Sequence, residues 1–295
     1  MSEIKLFEKE QSIITLTYDN PLVREGLKVL NERYSNTPLI LDTLDFNAKE
    51  GVVKGCHFFY KTSLTSILRE LSKEDLTPMT QQISEMFIDR LPEVNSTYED
   101  SGFTVYPKWG THSKLWNHLR KQTKTYFPDI DLEVPFVVEG LVDIIKDDQF
   151  DDSYNLRVDF NKDSLTKVTQ VPILSKGDGT FNSKDEGLSK NGFPYKLNSN
   201  GNRQISTAGS GVRRLYRIRD LDLNFGNGDL INSSENGRVC VAKNFSGLNL
   251  EDVFNYRTNL EDIRKSALKT LNCYISKEES NLKIRIEKAR EILLP

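Results

Sequence analysis

Gly201-Asn-Arg-Gln-Ile-Ser-Thr-Ala-Gly-Ser-Gly-Val-Arg-Arg-Leu-Tyr-Arg-Ile-Arg-Asp-Leu-Asp-Leu-Asn-Phe-Gly-Asn-Gly228 is the run that decides the fold class. Two short alternating segments, residues 215–218 and 221–225, sit between clusters of Gly, Asn and Ser, the punctuation of short strands joined by turns. The texture extends well beyond this run. Of 17 glycines in the chain, 11 fall from Gly177 to Gly247, and Gly237-Arg-Val-Cys-Val-Ala242 adds another strand.

Upstream, the hydrophobic period switches between two and 3.6. Strands are expected over 11–18, 38–44, 51–60, 103–106 and 156–160, and over 134–145 either one buried strand or a strand running into a short helix. A helix is expected to start at Asn20-Pro21, with Leu22, Val23, Leu27, Leu30 and Tyr34 as its apolar stripe. Further stripes are Leu64, Ile67, Leu68 and Leu71; then Ile83, Met86, Phe87 and Leu91, in a helix opened by Thr77-Pro78. Leu115, Leu119 and Tyr126 mark a helix over 111–126. Downstream, Leu260, Ile263, Ala267, Leu271 and Tyr274, followed by Leu282, Ile286, Ala289 and Leu293, keep helical spacing behind the capping boxes Thr258–Glu261 and Ser276–Glu279. The expected class is α+β. It comprises a mixed α/β domain over 1–165, a Gly/Asn/Ser-rich β and loop region over 166–250, and a helical tail over 251–295.

A chain of 295 residues with 9% aromatics has the means to build a real core. Its net charge of -3 argues against wholesale electrostatic binding to nucleic acid while leaving room for a local basic patch. Three distant cysteines, Cys56, Cys240 and Cys273, make neither a disulfide framework nor a CxxC metal pair. The charged N-terminus lacks an apolar signal core, and no apolar run approaches the ~20 residues of a membrane span. Synthesis in the cytoplasm and no membrane insertion are therefore expected.

Catalytic signatures are sparse. GxSxG, GxGxxG, the P-loop, HExxH and zinc-spaced Cys/His sets are all missing. His57 adjoins Cys56, but neighbours on a strand face opposite ways. Arg213-Arg-Leu-Tyr-Arg-Ile-Arg219 reads as a strand with one cationic face, suited to carboxylate or phosphate partners, or, as the plainer reading, with its charge absorbed by the acidic mid-region or by Asp220 and Asp222. Asp220-x-Asp222-x-Asn224 alternates with Leu221, Leu223 and Phe225, so it reads as strand rather than calcium loop.

The sharpest local pattern is basic and aromatic: Lys108, Trp109, Lys114, Trp116, Arg120 and Lys121, with His112, His118 and Lys124. Cations beside stackable rings suit a phosphate backbone with exposed bases. The plain alternative is an amphipathic helix whose two tryptophans pack in the core. Further on, Val134-Pro-Phe-Val-Val-Glu-Gly-Leu-Val-Asp143 and Leu156-Arg-Val-Asp159-Phe-Asn-Lys162 resemble, over about 50 residues, the RecB-like members of the PD-(D/E)XK nuclease superfamily. The resemblance implies Mg²⁺ held by Asp143 and Asp159, Lys162 aiding the nucleophile, and an upstream histidine, His112 or His118. Lys162 stands three residues after Asp159 rather than two, which puts it on the opposite face of one strand.

Two function classes follow. The first is a non-enzymatic structural or adaptor subunit of an oligomeric assembly, such as a phage tail, neck or head-associated component of the virion. Its partners are other subunits, itself included, and it uses no cofactor. The Gly/Asn-rich loops are its expected contact surface. The second is a nucleic-acid-acting protein related to the metal-dependent nucleases, with Mg²⁺ as cofactor.

Overall fold

A computed structural model describes residues 13–37, 39, 51–53, 57–87, 98–163, 165–182, 188–218, 221–232, 237–243 and 268–269. Helices and sheets both contribute, making the chain α+β. In order, the elements are β1 (Ile13–Thr15), α1 (Pro21–Arg33), α2 (Phe58–Ser72), β2 (Leu76–Pro78), α3 (Gln81–Phe87), β3 (Glu99–Val105) and α4 (Ser113–Tyr126). There follow β4 (Phe136–Gly140), β5 (Val142–Lys146), a 3-10 turn (Asp148–Ser153), β6 (Leu156–Phe160), β7 (Thr166–Gln170) and a second 3-10 turn (Pro172–Lys176). The last are β8 (Gly179–Phe181), β9 (Arg203–Thr207), β10 (Val212–Arg217), β11 (Leu223–Phe225) and β12 (Cys240–Lys243).

The first helix follows its sequence signals. Asn20 accepts the Leu22 N–H at 2.9 Å, Pro21 occupies the first turn, and Val23, Leu27 and Leu30 are buried. Two expectations nearby are corrected. Residues 57–60 do not continue a strand: His57 caps α2 by accepting the Tyr60 N–H on Nδ1 at 3.3 Å. Every residue from 58 to 65 is buried, so the aromatic run carries no visible period and mimics an interior strand. Thr77-Pro78 does not open a helix either. It ends β2, an edge strand where proline is tolerated, and Thr80 caps α3 instead, accepting the Ile83 N–H at 3.3 Å.

Seven strands form the main sheet, in the order β7-β4-β3-β10-β11-β9-β8. Only β11 and β9 run parallel; the other pairs are antiparallel. Phe103, Val105, Phe136, Val138 and Val212 meet Phe58, Phe59, Leu64, Leu115 and Leu119 in one cluster, which places α2 and α4 in that layer. Val137, Leu215, Ile205 and Phe225 pack with Ile173, Leu174, Phe181 and Phe193 in a second. Three further strands make a small sheet, β1-β12-β2.

The sheet crosses the boundary expected at residue 165. Strands β3 and β4 precede it, β7 to β11 follow it, and β10 pairs with β3 from Val212↔Val105 to Arg217↔Glu99. The compact units are Met1–Ser246 and Gly247–Pro295. The 134–145 run is also two strands rather than one. Gly140 has φ +80°, and a Cβ there would lie 2.4 Å from the Leu165 carbonyl oxygen, so the chain turns and β5 pairs with β6 in a separate hairpin. The described parts of the Gly/Asn-rich stretch, residues 177–182 and 188–204, are better anchored than their composition indicates: Phe181 and Phe193 are both buried, and Asn198 N–H bonds Thr180 O at 2.7 Å.

The strand expected at 38–44 lies outside the described residues. So do all residues of the tail stripes; Leu268 and Lys269, which belong to neither stripe, are helical and exposed. Among the described residues no helix is long and apolar enough to cross a membrane.

Candidate functional site

Helix α4 organises the surface where the sequence concentrates its chemistry. Leu115 and Leu119 are fully buried and hold it to the core. Gln122 ties it to the hairpin edge, donating to Val158 O at 2.8 Å and accepting the Phe160 N–H at 2.7 Å. Lys114, Asn117, Lys121, Lys124 and Thr125 are exposed, and their spacing places them on the outward side.

The six expected nucleic-acid contacts divide into two groups. Lys108, Trp109 and Lys121 are exposed, and Trp109 leaves 68% of its surface to solvent. The other three have partners within the chain, Lys114 while remaining exposed. Trp116 is half-buried and donates its indole N–H to Tyr106 O at 2.7 Å. Arg120 stacks on that ring at 4.6 Å and bonds Leu132 O and Glu133. Lys114 pairs with Asp151 at 2.8 Å. Tyr126 is 63% exposed at the last residue of α4, while Phe127 reaches the Phe160 ring at 5.6 Å. Among the described residues no carboxylate pairs with Lys108, Lys121 or Lys124.

The loop before α4 is fixed by backbone packing. Gly110 lies against Gly211, where a Cβ on Gly110 would come within 2.9 Å of the Gly211 nitrogen, and Gly211 N–H bonds Lys108 O at 2.9 Å. His112 caps α4 from the left-handed region with φ 57°. Its ring nitrogens are spent on the carbonyls of Asp152 and of Gly228, the latter at 2.6 Å.

The nuclease-like residues are partly gathered. Asp143 and Asp159 are cross-strand partners in the hairpin, and His118 Nε2 lies 2.7 Å from Asp159 Oδ1. His112 is engaged elsewhere, and Lys162 is exposed in the turn beyond β6. The carboxylates already have partners. Arg157 grips both oxygens of Asp159 at 3.0 Å and Asp147 at 2.7 Å, and Asn161 donates to Asp143 at 3.0 Å. The two carboxylates thus have separate partners within the fold, Asp159 the Arg157 guanidinium and Asp143 the Asn161 amide. Among the described residues no group of three or more His, Cys, Asp or Glu is placed to hold a metal. Arg157 was the residue missed, although its position two before Asp159 on one strand face marks it as a partner.

Beside Lys108 and Trp109 opens a cleft of about 540 Å³ between the loop after β3, the second 3-10 turn and the loop after β9. Tyr106 forms part of its wall. The phenol donates to Phe225 O and accepts from Ala208 N, both at 3.2 Å, and burial pushes it up to about 12.

Away from this surface, the interior holds a charged layer. Lys61 meets Glu99 at 2.6 Å, while Arg214 with Asp100 and Arg203 with Glu85 form two-pronged pairs, all almost fully buried. Within the arginine strand, Arg214 is neutralised by Asp100 of β3, and Arg217 lies in the field of Glu99 and Glu85. Asp222 accepts the Gln204 N–H of β9 at 2.5 Å and Asn224 the Gly226 N–H at 2.9 Å, so both side chains are spent on backbone donors.

Compared with protein-family models, with curated proteins and with solved structures, the chain has no match in any of the three.

Proposed function

We propose that the protein contacts single-stranded nucleic acid along the exposed side of α4. The observation that carries this reading is Trp109, 68% exposed, next to Lys108 and leading into a helix face that bears Lys121 and Lys124. A core tryptophan would be covered; this one offers its ring to solvent, where a base stacks on it. Tyr126 supplies a second exposed ring at the far end of a helix ~21 Å long, at 1.5 Å per residue. The lysines meet the phosphates between. A net charge of -3 repels a polyanion at long range, so affinity comes from contact and falls steeply with salt.

Fluorescence anisotropy of a labelled single-stranded oligonucleotide tests this. Three lysine–phosphate contacts give a logarithmic salt slope of about -2, a loss of roughly twentyfold between 50 and 200 mM. Trp109→Ala is expected to weaken binding by ~1–3 kcal/mol with the melting temperature unchanged. Binding that is insensitive to Trp109→Ala and to Lys121→Glu would sink the proposal.

A second reading, as a subunit of an oligomeric assembly, draws on the sheet margin. Strand β7 pairs only with β4 among the described residues, and its register turns the backbone groups of Thr166, Val168 and Gln170 outward. Such an edge accepts a strand from another chain. Light scattering after size exclusion tests it, with Val168→Pro expected to dissociate the assembly.

A further inference from the structure

We infer that the cleft beside Trp109 receives a nucleobase carrying an exocyclic amino group, taken from the strand bound along α4. This rests on the nucleic-acid reading above and adds the base class. At about 540 Å³ the cleft lies within the ~300–1,000 Å³ of small-molecule sites. Pro107, half-buried above buried Pro135 and Leu174, offers apolar surface suited to the face of a flat ring. Gly209 and Ala208 keep the wall formed by the loop after β9 low enough for a ring to enter.

The charged groups at the rim are of opposite sign and do different work. Glu133 bonds Arg120 at only 3.3 Å and its side chain is 80% exposed, so it has accepting capacity left for an amino group. Adenine, cytosine and guanine carry such an amino donor; uracil and thymine have only the ring N3–H, flanked by two carbonyls that a carboxylate repels. Lys108, also lining the cleft, is placed for the attached phosphate, and Trp109 follows it directly in sequence as the stacking site for the next base.

The test titrates the full chain with AMP, CMP and UMP by calorimetry, and separately with labelled oligo-dC and oligo-dT by anisotropy. AMP and CMP are expected to bind at least fivefold tighter than UMP, and oligo-dC tighter than oligo-dT. Ala208→Trp, an exposed position that fills the cleft, should abolish mononucleotide binding. Glu133→Gln, which barely perturbs a solvent-facing side chain, should erase the preference while retaining binding. Lys121→Glu should weaken the oligonucleotides and leave the mononucleotides unchanged. If oligo-dT and oligo-dC bind equally through Trp109 and no mononucleotide binds, the cleft assignment is overturned and the α4 interface stands. Mononucleotide binding that survives Ala208→Trp overturns it as well. If mononucleotides bind while neither oligonucleotide does, the interface fails, and with it the claim that the base belongs to a bound strand.

Discussion

Glu139 is 2% exposed on the central sheet, with Oε1 accepting the Gln81 N–H at 2.6 Å. Burial pushes its carboxyl up to about 7, against the opposing pull of that N–H and of Lys167 across the strand pair. The ordinary value, which the unfolded chain keeps, is 4.5. Between those two values the folded protein holds a proton that the unfolded chain has released. Stability therefore falls as pH rises through this window, by about 3 kcal/mol at most, and levels off above it. Glu139→Gln keeps the acceptor for Gln81 and cannot ionise. The variant should match the parent near pH 4.5 and exceed it at pH 8, with a flatter melting-temperature profile between. Parallel profiles for the two proteins would show that Glu139 does not titrate with folding.

Among the secondary elements, what could be read beforehand depended on whether a residue's surroundings differed from one side to the other. Helix α4 has a buried stripe and a solvent face, so its period shows in the sequence; Leu115 and Leu119 are fully buried as expected. Leu119→Ala should accordingly cost ~2–5 kcal/mol in denaturant unfolding, and a cost below 1 kcal/mol would mean the helix is not held by that stripe. Helix α2 is enclosed all round over its first two turns, and there the period disappears and helix is mistaken for strand. The candidate site shows the same divide. Lys108, Trp109 and Lys121 were legible as local chemistry, as was the approach of Asp143 to Asp159. That Trp116 and Arg120 spend their polar groups on Tyr106 O and Leu132 O was not, because those carbonyls are placed by tertiary structure. The cleft likewise joins segments some 100 residues apart in the chain, from Tyr106 to Gly209, and no local pattern announces it.

Over the whole molecule, the sequence texture changes near residue 165 while the fold does not. Composition reports what a segment exposes, whereas a domain boundary depends on which segments pair, and pairing here runs across the change. Central strand β3 has β4 on one side and β10 on the other. A chain ending at residue 165 would leave the β3 edge bare from Glu99 to Val105, a segment buried throughout in the intact sheet. It would also strip Asp100 of Arg214 and leave Glu85 without Arg203, and an abandoned buried charge costs ~3–5 kcal/mol. Two such losses match the ~5–15 kcal/mol by which a domain is normally stable. A fragment of residues 1–165 is therefore expected to lack a cooperative thermal transition and near-ultraviolet dichroism. A fragment of residues 1–246 keeps every pair of the seven-stranded sheet and should melt cooperatively. Cooperative unfolding of the shorter fragment would mean that its strands and helices form a core without β10, and that the sheet is two units joined edge to edge.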